Sequence, residues 1–275
     1  MAVERRVVAV PSHLQGARLQ RLRLPHPRAG ALCSFYADAA SETVLEVVRV
    51  DAGGQRSWLG DGWVEGSGAA LLLTPVDPLF LFLRLLTDAC QGSGDSEWRF
   101  VDIGSIGLEA GEGQDPESVR ALLGLPNARR RALATLCETR EVADTVVARV
   151  DRQRTVAWLC RKCSGDRLPE PLRAQLEEGL ARTNEMALLV AEYLSPFWSA
   201  LVADTLGLAA VRDAPSRPAQ APVYDAPDTY LPGGGIAAPK VEAKPKAKAP
   251  SAKERQLAEA AKKSKPITSF FAKRT

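Results

Sequence analysis

The chain has 275 residues, 45% of them hydrophobic, enough for one large or two ordinary domains and a real core. Its formal charge of +3 is uneven: residues 237–275 carry eleven Lys or Arg against three acidic residues, leaving the first 236 mildly acidic at 25 against 30. A basic folded body is thereby excluded. Five irregularly spaced cysteines, with no N-terminal signal peptide expected, exclude a disulfide framework and point to cytosol or nucleus.

Residues 3–73 read as β structure built from short strands. Val7 to Val10, Arg18 to Leu24, Leu32 to Tyr36, Thr43 to Val50 and Trp58 to Val64 are rich in β-branched, leucine or aromatic residues. Turn clusters separate them, including Pro25-His26-Pro27, Asp51-Ala52-Gly53-Gly54 and Gly60-Asp61-Gly62. Five or six strands at this spacing predict a small barrel or sandwich whose open edge must be covered.

The stretch Gly66–Leu86 is the most apolar. Leu71, Leu72 and Leu73 form a short strand, which Thr74-Pro75-Val76-Asp77-Pro78 is expected to stop. Asp77 with Pro78 is a good helix start, and Thr74 with Pro75 is an equally legal one a turn earlier. Leu79 to Leu86 then covers every side of a helix, so the helix must be enclosed. Asp77, Arg84 and the two prolines argue against a membrane span.

From Pro75 to Leu208 the period is helical. Asp115-Pro116 caps a helix ending near Gly124, Asn127 opens another through Thr139, and Thr155 to Cys163 carries a third. Pro171 to Tyr193 reads as one long helix, and Ser195-Pro196 caps a last helix that stops at Gly207. Beyond Val211 the chain is rich in Pro, Ala, Lys and Gly, which predicts disorder.

The chemistry-bearing residues are few. Cys160 and Cys163 have C-x-x-C spacing but no second pair, and the only histidines, His13 and His26, lie in the β region, so no metal site is predicted. Neither a G-x-S-x-G nor a Walker-type loop occurs. Carboxylates such as Asp115 and Asp151 are placed as helix caps rather than as a converging catalytic set. The basic run Lys240 to Lys265 reads as a solvated tail with incidental affinity for DNA. At the tail's end, Ile267, Phe270 and Phe271 fall on one side of a helical turn, as in a peptide that anchors in a groove.

That end resembles the motif by which replication and repair proteins bind the sliding clamp PCNA, spaced Q-x-x-h-x-x-a-a. Ser264 stands at the Gln position, Ile267 at the aliphatic one, and Phe270 with Phe271 at the aromatic pair. The flanking Lys262, Lys263, Lys265, Lys273 and Arg274 suit an acidic clamp surface.

A larger resemblance begins at Leu72-Leu73-Thr74-Pro75-Val76-Asp77-Pro78-Leu79-Phe80-Leu81-Phe82-Leu83, which looks like the signature of the B-type, non-catalytic subunit of eukaryotic type 2 ribonuclease H. Arg56-Ser57-Trp58-Leu59 and Gly66-Ser67-Gly68 are similar to the family's Trp-bearing strand and its following turn. Thr155-Val156-Ala157-Trp158-Leu159 resembles a family helix, and Ala191-Glu192-Tyr193-Leu194 with Pro196 resembles the end of its last helical segment. The segment 92–113 and the Ser at position 264 depart from the pattern.

The resemblance implies an α+β chain: a β-barrel domain over 1–73 that forms a triple barrel with the C-type subunit, and a mainly helical, winged-helix-like domain over 74–210. A disordered basic linker over 211–263 and a PCNA-binding box over 264–271 would follow. It also implies a nuclear heterotrimer acting on RNA/DNA hybrids and ribonucleotide-containing DNA in ribonucleotide excision repair and genome stability. This chain would be an accessory, non-catalytic member with no cofactor of its own, magnesium lying in the catalytic, A-type subunit. The alternative from another class is a chromatin or DNA-binding adaptor, for which Arg129-Arg130-Arg131 is the compact basic candidate.

Overall fold

The computed structural model describes residues 7–50, 57–65, 68–91, 98–106, 115–143 and 145–208, all within the first of two units, Met1–Gly235 and Ile236–Thr275. The chain is mixed α and β. Its N-terminal part supplies β1 (Val7–Ala9), β2 (Gln20–Pro25), β3 (Leu32–Asp38), β4 (Thr43–Val50), β5 (Trp58–Gly60), β6 (Trp63–Glu65) and β7 (Ala70–Val76). Five of these form an open sheet in the order β1-β7-β4-β3-β2, antiparallel except where β1 meets β7.

Trp58 to Val64, expected as one strand, is instead the two-stranded hairpin β5–β6. Asp61-Gly62 makes the turn, with Gly62 at φ +74°, a conformation that costs glycine nothing. Gly60 is equally required, since a Cβ there would lie 2.0 Å from Nε1 of Trp63, its cross-strand neighbour.

Strand β7 also runs further than expected, through Thr74 and Pro75 to Val76. Its parallel neighbour β1 pairs only with Ala70–Leu72, so at Pro75 that flank of β7 carries no described strand. A residue without an N–H is tolerated at such an edge.

Asp77 then starts α1 (Pro78–Cys90): its side chain accepts from the Leu79 N–H at 3.1 Å, and Pro78 occupies the first helical position. Thr74-Pro75 is therefore not the helix start. Leu79, Phe80, Leu81, Phe82, Leu83, Leu85 and Leu86 are all buried. The remaining elements explain how. They are β8 (Val101–Asp102), α2 (Pro116–Leu123), α3 (Pro126–Leu136), β9 (Cys137–Val142), β10 (Thr145–Val150), α4 (Arg152–Lys162), α5 (Glu170–Arg173), α6 (Leu180–Ala191) and α7 (Pro196–Leu206).

One buried cluster joins Leu22, Leu24, Phe35 and Val44 of the sheet to α1 and on to Leu136, Trp158 and Trp198. Helix α1 lies inside that cluster. Trp198 donates to the Thr87 hydroxyl at 3.1 Å, which satisfies the polar atoms of that contact. No helix among the described residues is long and apolar enough to cross a membrane.

Three expectations for this region are corrected. The helix opened near Asn127 ends at Leu136, and residues up to Val150 form the hairpin β9–β10, which with β8 makes a three-stranded antiparallel sheet, order β8-β10-β9. The helix expected over Pro171 to Tyr193 is split, because Gly179 adopts φ +88° immediately before α6. Helix α4 starts three residues early, at an Asp151 side chain that accepts from the Arg154 N–H.

Candidate partner-binding surface

Alternation along the strands puts Val44, Glu46, Val48 and Val50 of β4 on one face, opposite Val76, Thr74, Leu72 and Ala70 of β7. The helices cover only the first part of this stripe. Val44 and Val76 lie in the main core, and Glu46 closes it by accepting from the Tyr193 hydroxyl at 2.5 Å and from the Thr74 hydroxyl at 3.2 Å. Burial and the Glu46 carboxylate together push the Tyr193 phenol well above its ordinary range. Beyond that closure the stripe emerges, and Val50 is 49% exposed.

Hairpin β5–β6 carries further exposed apolar side chains. The Trp58 indole donates to the Ala69 carbonyl at 2.8 Å, which anchors the hairpin beside β7. Cross-strand partners Leu59 and Val64 point outward, 80% and 67% exposed, and Trp58 is 38% exposed. Leu59 and Val64, directly opposite each other, form an adjacent exposed apolar pair, and adjacent pairs are more informative than scattered side chains.

The two edges of the five-stranded sheet differ. On β2, the Arg23 N–H donates to Ser118 Oγ of α2 at 2.8 Å, and that hydroxyl donates to Asp115 at 2.6 Å. This edge is occupied. On the other side β1 is three residues long, and no described strand lies beyond it. A second, smaller core (Leu14, Tyr36, Leu45 and Leu73, flanked by Val8 and Val47) fills the sheet's opposite face. Among the described residues the available strand edge therefore lies at β1.

The β2–β3 loop is fastened to the helices close to Tyr193. His26 stacks on its ring at 6.2 Å, Arg28 pairs with Glu192 at 3.3 Å, and the His26 Nδ1 accepts from the N–H groups of Arg28 and Ala29. Burial lowers the pKa of the His26 imidazole, and Arg28 and Arg84 add to this against the opposing pull of Glu192.

Of the residues singled out in the sequence, Ser264, Ile267, Phe270 and Phe271 lie outside the described residues, as do the linker 211–263 and most of the segment 92–113. Cys160 and Cys163 are free thiols. Burial pushes Cys163 up to about 12, which makes it unreactive, and no group of three metal-ligating side chains occurs among the described residues. Asp115 and Asp151 cap α2 and α4.

The basic triplet is divided. Arg131 is held at 2.5 Å by Asp77, whose other oxygen takes Lys162 at 2.6 Å. Arg129 and Arg130 remain exposed on α3. A residue that the sequence did not flag is Glu42 at the β3–β4 turn. At φ +53°, it accepts from the Asn127 and Ala128 N–H groups at 2.9 Å each, capping α3 from 85 residues away. Neither a protein-family model nor a curated protein sequence matches the chain.

Proposed function

We propose that the chain is the non-catalytic, B-type member of a heterotrimeric type 2 ribonuclease H. Together with the C-type subunit it scaffolds the catalytic one, and it tethers the complex to PCNA. The observation that carries this reading is the exposed apolar pair Leu59 and Val64 on the hairpin together with a β1 edge on which no described strand lies, because a sheet that closes into a barrel with a partner needs both a free edge and apolar surface to bury. The C-type partner would add strands along β1 and cover the β5–β6 hairpin.

The order α1, β8, α2, α3, β9, β10, with its sheet ordered β8-β10-β9, supports a winged-helix reading of the second region. Segment 264–271 would supply the clamp contact, through Ile267, Phe270 and Phe271. In this reading the magnesium and the cleavage of RNA/DNA hybrids and of ribonucleotide-containing DNA belong to the catalytic partner, and the complex works in the nucleus.

The purified chain alone is then inactive on a ribonucleotide-containing duplex with Mg²⁺, and cleavage by it would overturn the proposal. Replacing Phe270 and Phe271 with Ala should abolish capture of the complex by immobilised PCNA while leaving its assembly intact. Unchanged capture would remove the clamp tether from the account.

A further inference from the structure

Helix α3 and hairpin β9–β10 border an open groove of about 530 Å³. Along α3 its wall is Arg129, Arg130, Leu133 and Ala134, which recur every three or four positions and so share one helical face. Val146 of β10 lines it from the hairpin and is 44% exposed, a β-branched side chain that its own chain leaves half uncovered. The groove thus combines guanidinium groups with aliphatic surface, and no carboxylate lines it.

Arg129 and Arg130 are exposed, and neither is paired with a carboxylate among the described residues. Arg130 donates to the Asn127 side-chain oxygen at 2.8 Å, a neutral contact that orients its guanidinium and leaves the charge uncancelled. The nearby cations Arg131 and Lys162, by contrast, are both taken up by Asp77. The first 236 residues carry 25 basic against 30 acidic side chains, so the pair is a basic spot on a mildly acidic chain. A negatively charged partner is drawn to this spot rather than to the surface at large.

Three features favour an acidic polypeptide over a phosphate strand as the occupant. Leu133, Ala134 and Val146 offer aliphatic surface, which a sugar-phosphate backbone cannot use and an apolar side chain can. Glu141 stands directly opposite Val146 in the hairpin register, on the same face, so a carboxylate borders the groove. A continuous run of phosphates meets that charge, whereas a peptide places its carboxylates only at the arginines. Finally, the Asn127 and Ala128 N–H groups, which would attract a phosphate to the start of α3, are already occupied by Glu42.

We propose that the groove is a docking site for an acidic peptide segment of a partner protein. Carboxylates of that segment pair with Arg129 and Arg130, and an aliphatic side chain packs against Leu133 and Val146. Two exposed ion pairs and one small apolar contact make the docking weak and reversible. The site goes beyond the proposed place in the heterotrimer and does not depend on which partner covers the sheet.

The test uses the full chain as bait for a display library of short random peptides. Counter-selection on the full chain carrying R129E/R130E discards peptides held by the basic tail or by any other surface. The surviving peptides should be rich in Asp or Glu and carry a Leu, Ile or Val. Titrated by fluorescence anisotropy, such a peptide should bind the R129A/R130A chain on the order of tenfold more weakly, the loss expected of two exposed ion pairs. The charge-preserving R129K/R130K chain should retain most of the affinity, and Val146→Ser should weaken it several-fold. All three positions are exposed, so the substitutions leave the fold intact. A selection that leaves no survivors, survivors without acidic enrichment, or unchanged affinity in R129A/R130A would overturn the proposal. So would a short DNA duplex that displaces the peptide and loses affinity on the same substitution, which would assign the groove to nucleic acid. None of the variants touches β1 or hairpin β5–β6, so failure here would leave the partner-sharing role of the sheet untouched.

Discussion

Helix α1 and hairpin β5–β6 are both strongly apolar, yet one buries all seven of its large apolar side chains and the other presents Leu59 and Val64 to solvent. Composition does not separate them. What separates them is supply: α1 is surrounded by the sheet, by α3 and by hairpin β9–β10, whereas nothing in the described chain reaches over β5–β6. Contiguous apolar surface that stays exposed is the kind through which proteins meet other molecules. The helix organises this chain, and the hairpin, in the proposed account, organises the complex.

The sharpest way to break the comparison is through the two cores. Phe82→Ala in α1 removes a side chain that is 1% exposed and should cost about 3–5 kcal/mol, a large fraction of a typical domain's stability. Leu59→Ala on the hairpin should change stability by less than about 0.5 kcal/mol. Chemical denaturation of the two variants checks both. Equal losses would mean that the hairpin is structural after all.

Smaller effects come from the contacts that fasten the sheet to the helices. Glu42→Ala leaves two N–H groups of α3 without their carboxylate and should cost about 1 kcal/mol, read from the shift of a urea midpoint. The effect of pH runs through His26. Its folded pKa is depressed below the ordinary 6.5, so as pH falls the unfolded chain takes up the proton first. Stability is full above about pH 6.5 and declines below it, and a His26→Asn variant should show a shallower decline over that window. Parallel profiles would show that another group titrates there.

The sequence predicts part of this and misses the rest for identifiable reasons. The buried α1 was legible because seven apolar side chains surround an axis that Asp77 and Pro78 start cleanly. The β9–β10 hairpin was not, because Glu138, Arg140 and Glu141 interrupt the apolar alternation of β9. Two of these belong to a side-chain cluster that only pairing creates: Glu138 bridges Arg140 and Arg149, and both guanidinium groups lie over the Phe100 ring.

The break before α6 depended on one backbone angle at Gly179, and the capping of α3 by Glu42 on a contact across 85 residues. For the candidate surface, Trp58 and Leu59 were visible as part of a strand. Their exposure was not, since a single apolar strand looks the same whether its own chain or another covers it.

That exposure is where the central claim is most directly tested. The full chain carrying Leu59→Asp and Val64→Asp, and the unmodified chain, are each used as bait in nuclear extract, with the recovered proteins quantified. Two further proteins, the other members of the heterotrimer, should be recovered with the unmodified chain in equal amounts, together with cleavage of a ribonucleotide-containing duplex. Both should be lost with the variant while its denaturation midpoint stays the same. Equal recovery by both chains, or no stoichiometric pair with either, would contradict the account.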